Sequence, residues 1–384
     1  MFKVAVGHSN DPDSDSAIEE VLEQCQTSLA GEIPTAGILF AAIDFEHSLL
    51  LQEINRAFPE IELIGCTTDA EVSSVLEFEQ DSLTLMLFCS DEVEIRAGVG
   101  RGLSKDAVAA TFQAVTQAQA KSKLKSHKLC LATPESLTMD GVSTVDGLKQ
   151  ALGENFPILG GLAGDQMRIN QTYQFFSTEV LSDSVPILLF SGELLFSHGF
   201  ANGWHPISRK AVVTKIEKNI LYEIDNKPAL DFYDDYLSGL LPSAEYPLAV
   251  SDSQANNVYM AAVHVYNRKT KIINCFARIP EKSTVQIAQA NREDILAAAK
   301  SSITKALETY PGNQPQAALF FSCVARRQLL GTKTKEEYQL AKTILKQDFP
   351  CCGFYTYGEI SPLEIGTPSR LQNQTFVTLL LGVE

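Results

Sequence analysis

The chain has 384 residues, 45% apolar and 20% charged, with a net charge of −16 and a pI near 4.9. That is core material for about two domains at a prior of ~150 residues each. The acidity argues against nucleic acid or anionic lipid as partners, because both are polyanions, while a small anionic ligand stays compatible with a local basic pocket.

The opening residues Met1 to Gly7 do not read as a leader, and no apolar run approaches the ~20 residues that span a bilayer. Eight cysteines, most inside apolar strands and none in a Cys-x-x-Cys pair, read as reduced, packed thiols of a cytoplasmic protein.

In chain order, residues 2–8 alternate as a strand and the acidic loop 9–15 caps a helix over 16–29. A strand over 36–43 follows, then strands over 82–89 and 94–98, antiparallel across a short turn. Gly98-Val99-Gly100-Arg101-Gly102 leads into a helix over 105–120 with Ser104 as N-cap. Its glycine spacing does not fit a dinucleotide-binding turn. Strands come next at 128–133, 173–177 and 185–195, and the glycine-rich run 197–208, holding the only tryptophan, closes a first domain over 1–208. The second domain, 209–384, shows strands at 211–216, 220–224, 259–266, 271–277, 284–288 and 316–323. Its helices are expected over 229–240, 291–310 and 335–347.

Three Phe-Pro pairs punctuate this order. Phe58-Pro59 precedes an apolar run to Gly65, then Thr67, Thr68, Asp69 and Glu71; Phe156-Pro157 precedes Gly160, Gly161 and Asp165. Phe349-Pro350 precedes Cys351, Cys352 and Gly353, then Tyr355, Tyr357 and Glu359. Proline stops a helix and glycine permits a tight backbone, so each copy reads strand–helix–Phe-Pro–strand–glycine–acid–strand, a repeated supersecondary unit. The segments after Gly65, Gly161 and Gly353 should occupy equivalent ends of related strands. The expected class is mixed α/β, with two domains of helix-covered mixed sheets built from related strand–helix–strand repeats.

Several short motifs occur together: Gly65-Cys66-Thr67-Thr68, Gly160-Gly161-Leu162-Ala163-Gly164-Asp165, Gly203-Trp204-His205-Pro206-Ile207, Phe321-Ser322-Cys323-Val324-Ala325-Arg326, the run Gly353 to Pro362, and Asn373-Gln374-Thr375. With them the chain resembles the FIST family of intracellular signal-transduction domains over nearly its whole length. Ala325 stands where that family usually has glycine, and Leu371-Gln372 where a histidine is common. The resemblance implies a cytoplasmic sensor that binds a small, amino-acid-like ligand and signals through a partner protein. One branch implies instead a haem-based nitric-oxide sensor regulating a histidine kinase or cyclic-di-GMP enzyme.

Strand-end crevices favour ligands. Asp165 and Glu359 follow glycines at such ends, where a carboxylate accepts an ammonium group or merely finishes a turn. Arg326 is placed to hold an anion in a bidentate contact, or to form an internal ion pair. Tyr355 and Tyr357 share a strand face and either stack on a ligand or pack. Thr67, Gly161 and Cys323 complete the candidate ligand-binding set. The expectation is one pocket in the C-terminal half holding Glu359 and Arg326, with Tyr355 or Tyr357 as a wall.

No enzymatic activity is expected. Cys66 and Cys323 end apolar strands without a histidine near in sequence, and Ser197, His198 and His205 lack a third member, which leaves a cysteine-dependent enzyme as a weaker alternative. A haem would be non-covalent and held by His47, His198, His205 or His264. No His/Cys grouping has metal-ligand spacing.

Overall fold

Three stretches of the chain repeat one order of elements in the computed structural model, which describes residues 1–138, 141–252, 257–276, 278–346 and 349–384. The first unit runs β1 (Phe2–Ser9), α1 (Ser14–Leu29), β2 (Ala36–Ala41), α2 (His47–Ala57), β3 (Glu62–Thr67), a hairpin of β4 (Glu71–Ser73) and β5 (Glu77–Glu79), then β6 (Leu83–Ser90). The second repeats it as β7 (Val93–Arg101), α3 (Ala107–Lys121), β8 (His127–Ala132), α4 (Gly141–Leu152), β9 (Ile158–Gly161), the hairpin β10 (Gln174–Phe176) and β11 (Glu179–Leu181), and β12 (Ser184–Gly192).

The third unit opens with β13 (Leu195–Ala201) and then leaves on an excursion over residues 202–290. That excursion carries β14 (His205–Pro206), β15 (Ala211–Glu217), β16 (Ile220–Ile224), β17 (Lys227–Pro228), α5 (Ala229–Leu237), β18 (Leu248–Asp252), β19 (Asn257–Ala261), β20 (Val263–Asn267), β21 (Ile272–Cys275) and β22 (Thr284–Gln289). The unit resumes with α6 (Arg292–Glu308), β23 (Ala317–Cys323), α7 (Val324–Leu330), α8 (Glu336–Leu345), β24 (Cys351–Thr356), the hairpin β25 (Glu359–Pro362) and β26 (Ser369–Gln372), and β27 (Phe376–Gly382).

Each unit builds four strands of a six-stranded sheet and lends its hairpin to another unit. The sheets run β1-β6-β2-β3-β10-β11, β7-β12-β8-β9-β25-β26 and β13-β27-β23-β24-β4-β5. The first unit's hairpin thus completes the third sheet, the second's the first, and the third's the second, a cyclic exchange about a pseudo-threefold axis. Within each sheet one pair is parallel, β2–β3, β8–β9 or β23–β24, and the helices α2, α4 and α8 lie in its crossovers. The inner faces of all three sheets bury one apolar cluster that includes Phe40, Phe88, Leu131, Phe190, Phe321 and Phe354. The helices cover the outer faces through separate clusters.

The register shows the threefold relation residue by residue. Gly65, Gly160 and Gly353 pair with Leu39, Ala132 and Phe320 on the parallel neighbour, and an added Cβ would lie 1.9, 2.0 and 2.1 Å from those residues' carbonyl oxygens. Here the structure corrects the expected equivalence by one residue: the partner of Gly65 and Gly353 is Gly160, not Gly161. Gly7, Gly98 and Gly199 form a second such set, each with its helix backbone so close that a Cβ would meet the oxygens of Val21, Ala114 and Ser302 at 2.4, 2.0 and 2.0 Å. Pro157 and Pro350 accept equivalent strand hydrogen bonds from Cys130 and Ala318, whereas Pro59 lies farther upstream of its glycine.

Other expectations shift in instructive ways. The apolar run 185–195 holds the end of one unit and the start of the next, divided at Gly192, whose φ of 93° makes the turn. The expected boundary at Ser208 falls inside the excursion, and strands from the C-terminal half, β25 and β26, sit in a sheet with β7, β8, β9 and β12. Asp106, not Ser104, caps α3 through the Ala109 N–H, because Ser104 bonds Asp183. The ends expected at 277 and 347 lie outside the described residues. The excursion's sheet, β19-β18-β22-β15-β16-β21-β20, wraps its own core of Val213, Tyr233, Leu248, Ile273 and Ile287. Among the described residues no helix is long and apolar enough to cross a membrane.

Because a backbone carbonyl cannot yield as a side chain does, Gly353→Ala should lower stability by about 3 kcal/mol, at the upper end of overpacking costs. A urea midpoint equal to wild type would show that the close approach to the Phe320 oxygen does not constrain the fold.

Candidate functional site

Past the three equivalent glycines the strands leave their own sheets and cross near the axis. Thr67 N–H donates to Tyr173 O, Leu162 N–H to Gly358 O and Tyr355 N–H to Ala70 O, at 2.9, 2.8 and 2.8 Å. Two residues further on, Asp69 N–H donates to Tyr355 O, Gly164 N–H to Thr67 O and Tyr357 N–H to Leu162 O, at 3.0, 2.8 and 3.4 Å. The second set closes a ring, each unit holding the next.

The hairpins bring a buried polar residue to equivalent positions: Glu71, Gln174 and Glu359, paired with Phe354, Cys66 and Gly161. Each has a hydroxyl partner at an equivalent place. Ser82 Oγ donates to Glu71 at 2.6 Å, Ser184 Oγ to Gln174 at 3.1 Å, and Thr375 Oγ1 to Glu359 at 2.8 Å. Burial pushes Glu71 and Glu359 up to about 8, so both carboxyls are largely protonated at neutral pH. His8 joins the first of these groups, its ring nitrogens 2.7 Å from Ser73 Oγ and 2.9 Å from Ser82 Oγ, and burial lowers it to about 3. This neutral chain of hydroxyl, imidazole and carboxyl is fully buried, and it went unseen in the sequence because His8 lies 65 and 74 residues from Ser73 and Ser82.

The expected pocket of Glu359, Arg326 and Tyr355 is not what the structure builds. Arg326 is fully buried and donates to Glu337 at 2.7 and 3.0 Å, to Asn202 O at 2.7 Å and to Ile295 O at 2.7 Å. Tyr355 and Ser322 hydroxyls donate to the other oxygen of Glu337 at 2.6 and 3.0 Å. The internal ion pair is therefore the one formed, with Glu337 rather than Asp165 or Glu359. Because Asn202 ends the outgoing crossing and Ile295 starts the return, Arg326 clamps the base of the excursion. Thr67, Gly161 and Cys323 are also buried in the crossing strands, and the Cys66 and Cys323 thiols are held well above the ordinary range by burial. Such thiols are neutral and packed.

Asp165 and Tyr357 do come together. Tyr357 Oη donates to Asp165 at 2.5 Å, and the Asp165 carboxylate also accepts from the N–H groups of Ile169, Asn170 and Gln171. Nearby, Asp69 is fully buried with Arg327 Nε 2.5 Å from Oδ2, off a hydrogen-bond line, and burial raises Asp69 to about 6.

Tyr357 also forms part of the floor of a cleft between the threefold body and the excursion, with a volume near 870 Å³. The body contributes Ser136, Leu162, Asn170, Tyr357 and Asn373; the excursion contributes Lys218, Asn219, His264, Asn274 and Arg278. Asn373 Oδ1, Asn274 Oδ1 and Ser136 Oγ are buried there without a hydrogen-bond partner, and Asn373 is only 2% exposed. Lys218, at the positive-φ tip between β15 and β16, and Arg278 have no ion-pair partner among the described residues. Unpaired buried polar groups cost free energy, so these three atoms make the cleft a candidate place for a polar ligand, with the exposed Lys218 and Arg278 also on its lining. Asn373 was visible in the sequence as part of a motif; Lys218 in a turn, Asn274 in β21 and Arg278 in a connecting loop carried no signal. Its neighbours hold the walls together: Gln374 and Trp204 both donate to Ala244 O, at 3.0 and 3.2 Å.

Of the four histidines considered for haem, His264 alone lines this cleft, its ring 4.5 Å from that of Phe276. His47 is buried against Ala42 O, His198 is buried and lowered to about 4, and His205 is exposed. The cleft's amides and cations do not make the apolar surround a haem needs. Among the described residues no group of three or more His, Cys, Asp and Glu is placed for a metal ion.

The FIST N domain family matches residues 35–227 and the FIST C domain family residues 229–362. An uncharacterized protein of Methanocaldococcus jannaschii is 35% identical over 82 residues, 21% of this chain and 16% of that protein. The match thus spans a small part of that relative's length. The structure of a cyanuric acid hydrolase from A. caulinodans is similar at a TM-score of 0.41 and 10% identity, over 100% of both chains. A PurLQS structure from Thermotoga maritima is similar at 0.23 and 12%, over 100% of this chain and 72% of that one.

Two outcomes follow from the buried groups. The folded chain binds more protons than the unfolded one between the ordinary carboxyl value of 4.5 and about 8, so Glu71 and Glu359 make stability fall as pH rises through that window. Glu71→Gln/Glu359→Gln, which copies Gln174, should flatten this slope and stabilise the protein at pH 8; an unchanged pH profile of Tm contradicts it. Arg326→Met should cost about 3–5 kcal/mol by stranding Glu337, and a denaturant midpoint within error of wild type would show that the clamp is dispensable.

Proposed function

We propose that this chain, which belongs to the FIST family, is a sensory protein that binds a small amino-acid-like ligand in the cleft between its threefold body and its excursion. FIST domains are associated with signal transduction and small-ligand sensing. The observation that carries the reading is the meeting of partnerless amide oxygens, Asn373 and Asn274, with two exposed cations, Lys218 and Arg278, that form no ion pair among the described residues, in one cavity. An amino acid satisfies both kinds of group at once: its ammonium donates to the amide oxygens and its carboxylate accepts from the cations.

The same geometry supports a signalling role. Asn373 and Tyr357 belong to the body while Lys218, Asn274 and Arg278 belong to the excursion, so a ligand touching both walls favours one relative placement of the two. The output passes to another protein, such as a histidine kinase or a cyclic-di-GMP enzyme. All eight cysteines are unpaired thiols, which suits the reducing cytoplasm. The buried Cys66 and Cys323 are poor nucleophiles, and the reading is of a binding protein and not an enzyme.

Thermal-shift screening with free amino acids should find a stabilising ligand, and calorimetry should show Asn373→Ala and Lys218→Met weakening it roughly 30- to 100-fold. Wild-type affinity in both variants would move the site elsewhere, and a Soret band in the purified protein would replace the amino-acid reading with haem.

A further inference from the structure

The polar cleft does not end at its cations. Beyond Lys218, Arg278 and Leu371, which line both spaces, lies a second cavity of about 640 Å³ with a different character. Its apolar wall comes from three sources, Val142 and Val145 on α4, Ile216 and Val258 on the excursion, and Leu363 beside the β25–β26 hairpin, while charged side chains, Asp146, Glu154, Glu281 and Arg370, complete the lining. Lys149 at its edge is already engaged by Asp146 and Glu154, at 2.8 and 3.3 Å. Val258, on the edge strand β19, is 57% exposed. The backbone of Arg278 is fixed at the junction, because Tyr259 Oη donates to its carbonyl at 2.9 Å.

We infer that the ligand is amphiphilic, an acylated amino acid whose polar head fills the amide-lined cleft and whose hydrocarbon chain runs past Lys218 and Arg278 into the apolar cavity. This rests on the reading above that the cleft binds an amino-acid-like head, and it adds the chemical class of the tail. The division of labour follows from the two linings. An acyl amide keeps one N–H for the Asn373 and Asn274 oxygens, and its carboxylate meets the two cations at the junction. The chain then removes the apolar walls from water, and Leu371 supplies a continuous surface from one space to the other. A free amino acid uses the head site alone.

The test is calorimetry on the full chain with N-acetyl-, N-butanoyl-, N-hexanoyl- and N-octanoylglycine. Affinity should rise about threefold to fourfold for each added methylene, the value of burying one CH₂. Val258→Asn, a neutral polar change at an exposed position, should flatten that slope while leaving N-acetylglycine binding at its wild-type value; Val142→Asn serves as a second probe, on the α4 side. If N-acetylglycine binds and chain length has no effect, the amphiphile inference is wrong and the head-group reading survives. Octanoate alone binding as tightly as N-octanoylglycine would also overturn it, since the head would then contribute nothing. If neither the acylglycines nor free amino acids bind, both readings fall together.

Discussion

The constraint on which the rest of the structure depends is the closed ring of backbone hydrogen bonds at the axis, Asp69 to Tyr355, Tyr357 to Leu162 and Gly164 to Thr67. Each strand that leaves its sheet after its glycine carries amide groups into the interior, where an unpaired one costs about 1–3 kcal/mol. The neighbouring unit's equivalent segment supplies the missing partners. No unit can therefore finish its own sheet, and the hairpins must be exchanged in a circle. Glu71, Gln174 and Glu359, each with its hydroxyl, line the places where the exchanged hairpins enter. That an amide replaces a carboxyl in the second unit shows what the position demands: a hydrogen-bonding group without charge, which burial enforces on the two glutamates by raising them to about 8.

The excursion breaks this symmetry and makes the cleft. It leaves at Asn202 and returns at Asn291, and Arg326 grips both crossings through Asn202 O and Ile295 O while Glu337 neutralises it. Gly203 fits against the Asp294 carbonyl, where a Cβ would lie 2.7 Å away. Trp204 and Gln374 then tie the loop at Ala244 to the body. Held at its base, the excursion brings the β15–β16 tip over the second unit, and polar groups from both sides face each other across the cleft. The second unit can offer this face because its crossing loop is longer, with Asp165 gathering the loop amides and Tyr357 onto one carboxylate.

The sequence showed the repeat but not its consequence. Three Phe-Pro and glycine signatures revealed three strand–helix–strand units, since proline and glycine act locally and leave local marks. Hairpin exchange left none, because β4, β10 and β25 look alike whichever sheet they join. The glycine equivalence slipped by one because Gly160 and Gly161 are adjacent, and only the register with Ala132 distinguishes them. Arg326 and Glu359 stood out in the sequence as ionisable residues near strand ends, but a buried arginine and a ligand-binding one look the same in sequence until a partner such as Glu337, on another helix, is placed beside it. The cleft was hardest to read. Lys218 and Arg278 are ordinary exposed loop residues, and what sets them apart is the cleft that they line, a property of three-dimensional placement.

The central claim is that one ligand bridges body and excursion. Hydrogen exchange followed by mass spectrometry, with and without the amino acid that most raises Tm, tests it most directly. Bridging slows exchange together on the body wall around Asn373 and on the excursion wall around Asn219 and Asn274. Slowing confined to one wall, or to segments away from both, would contradict it.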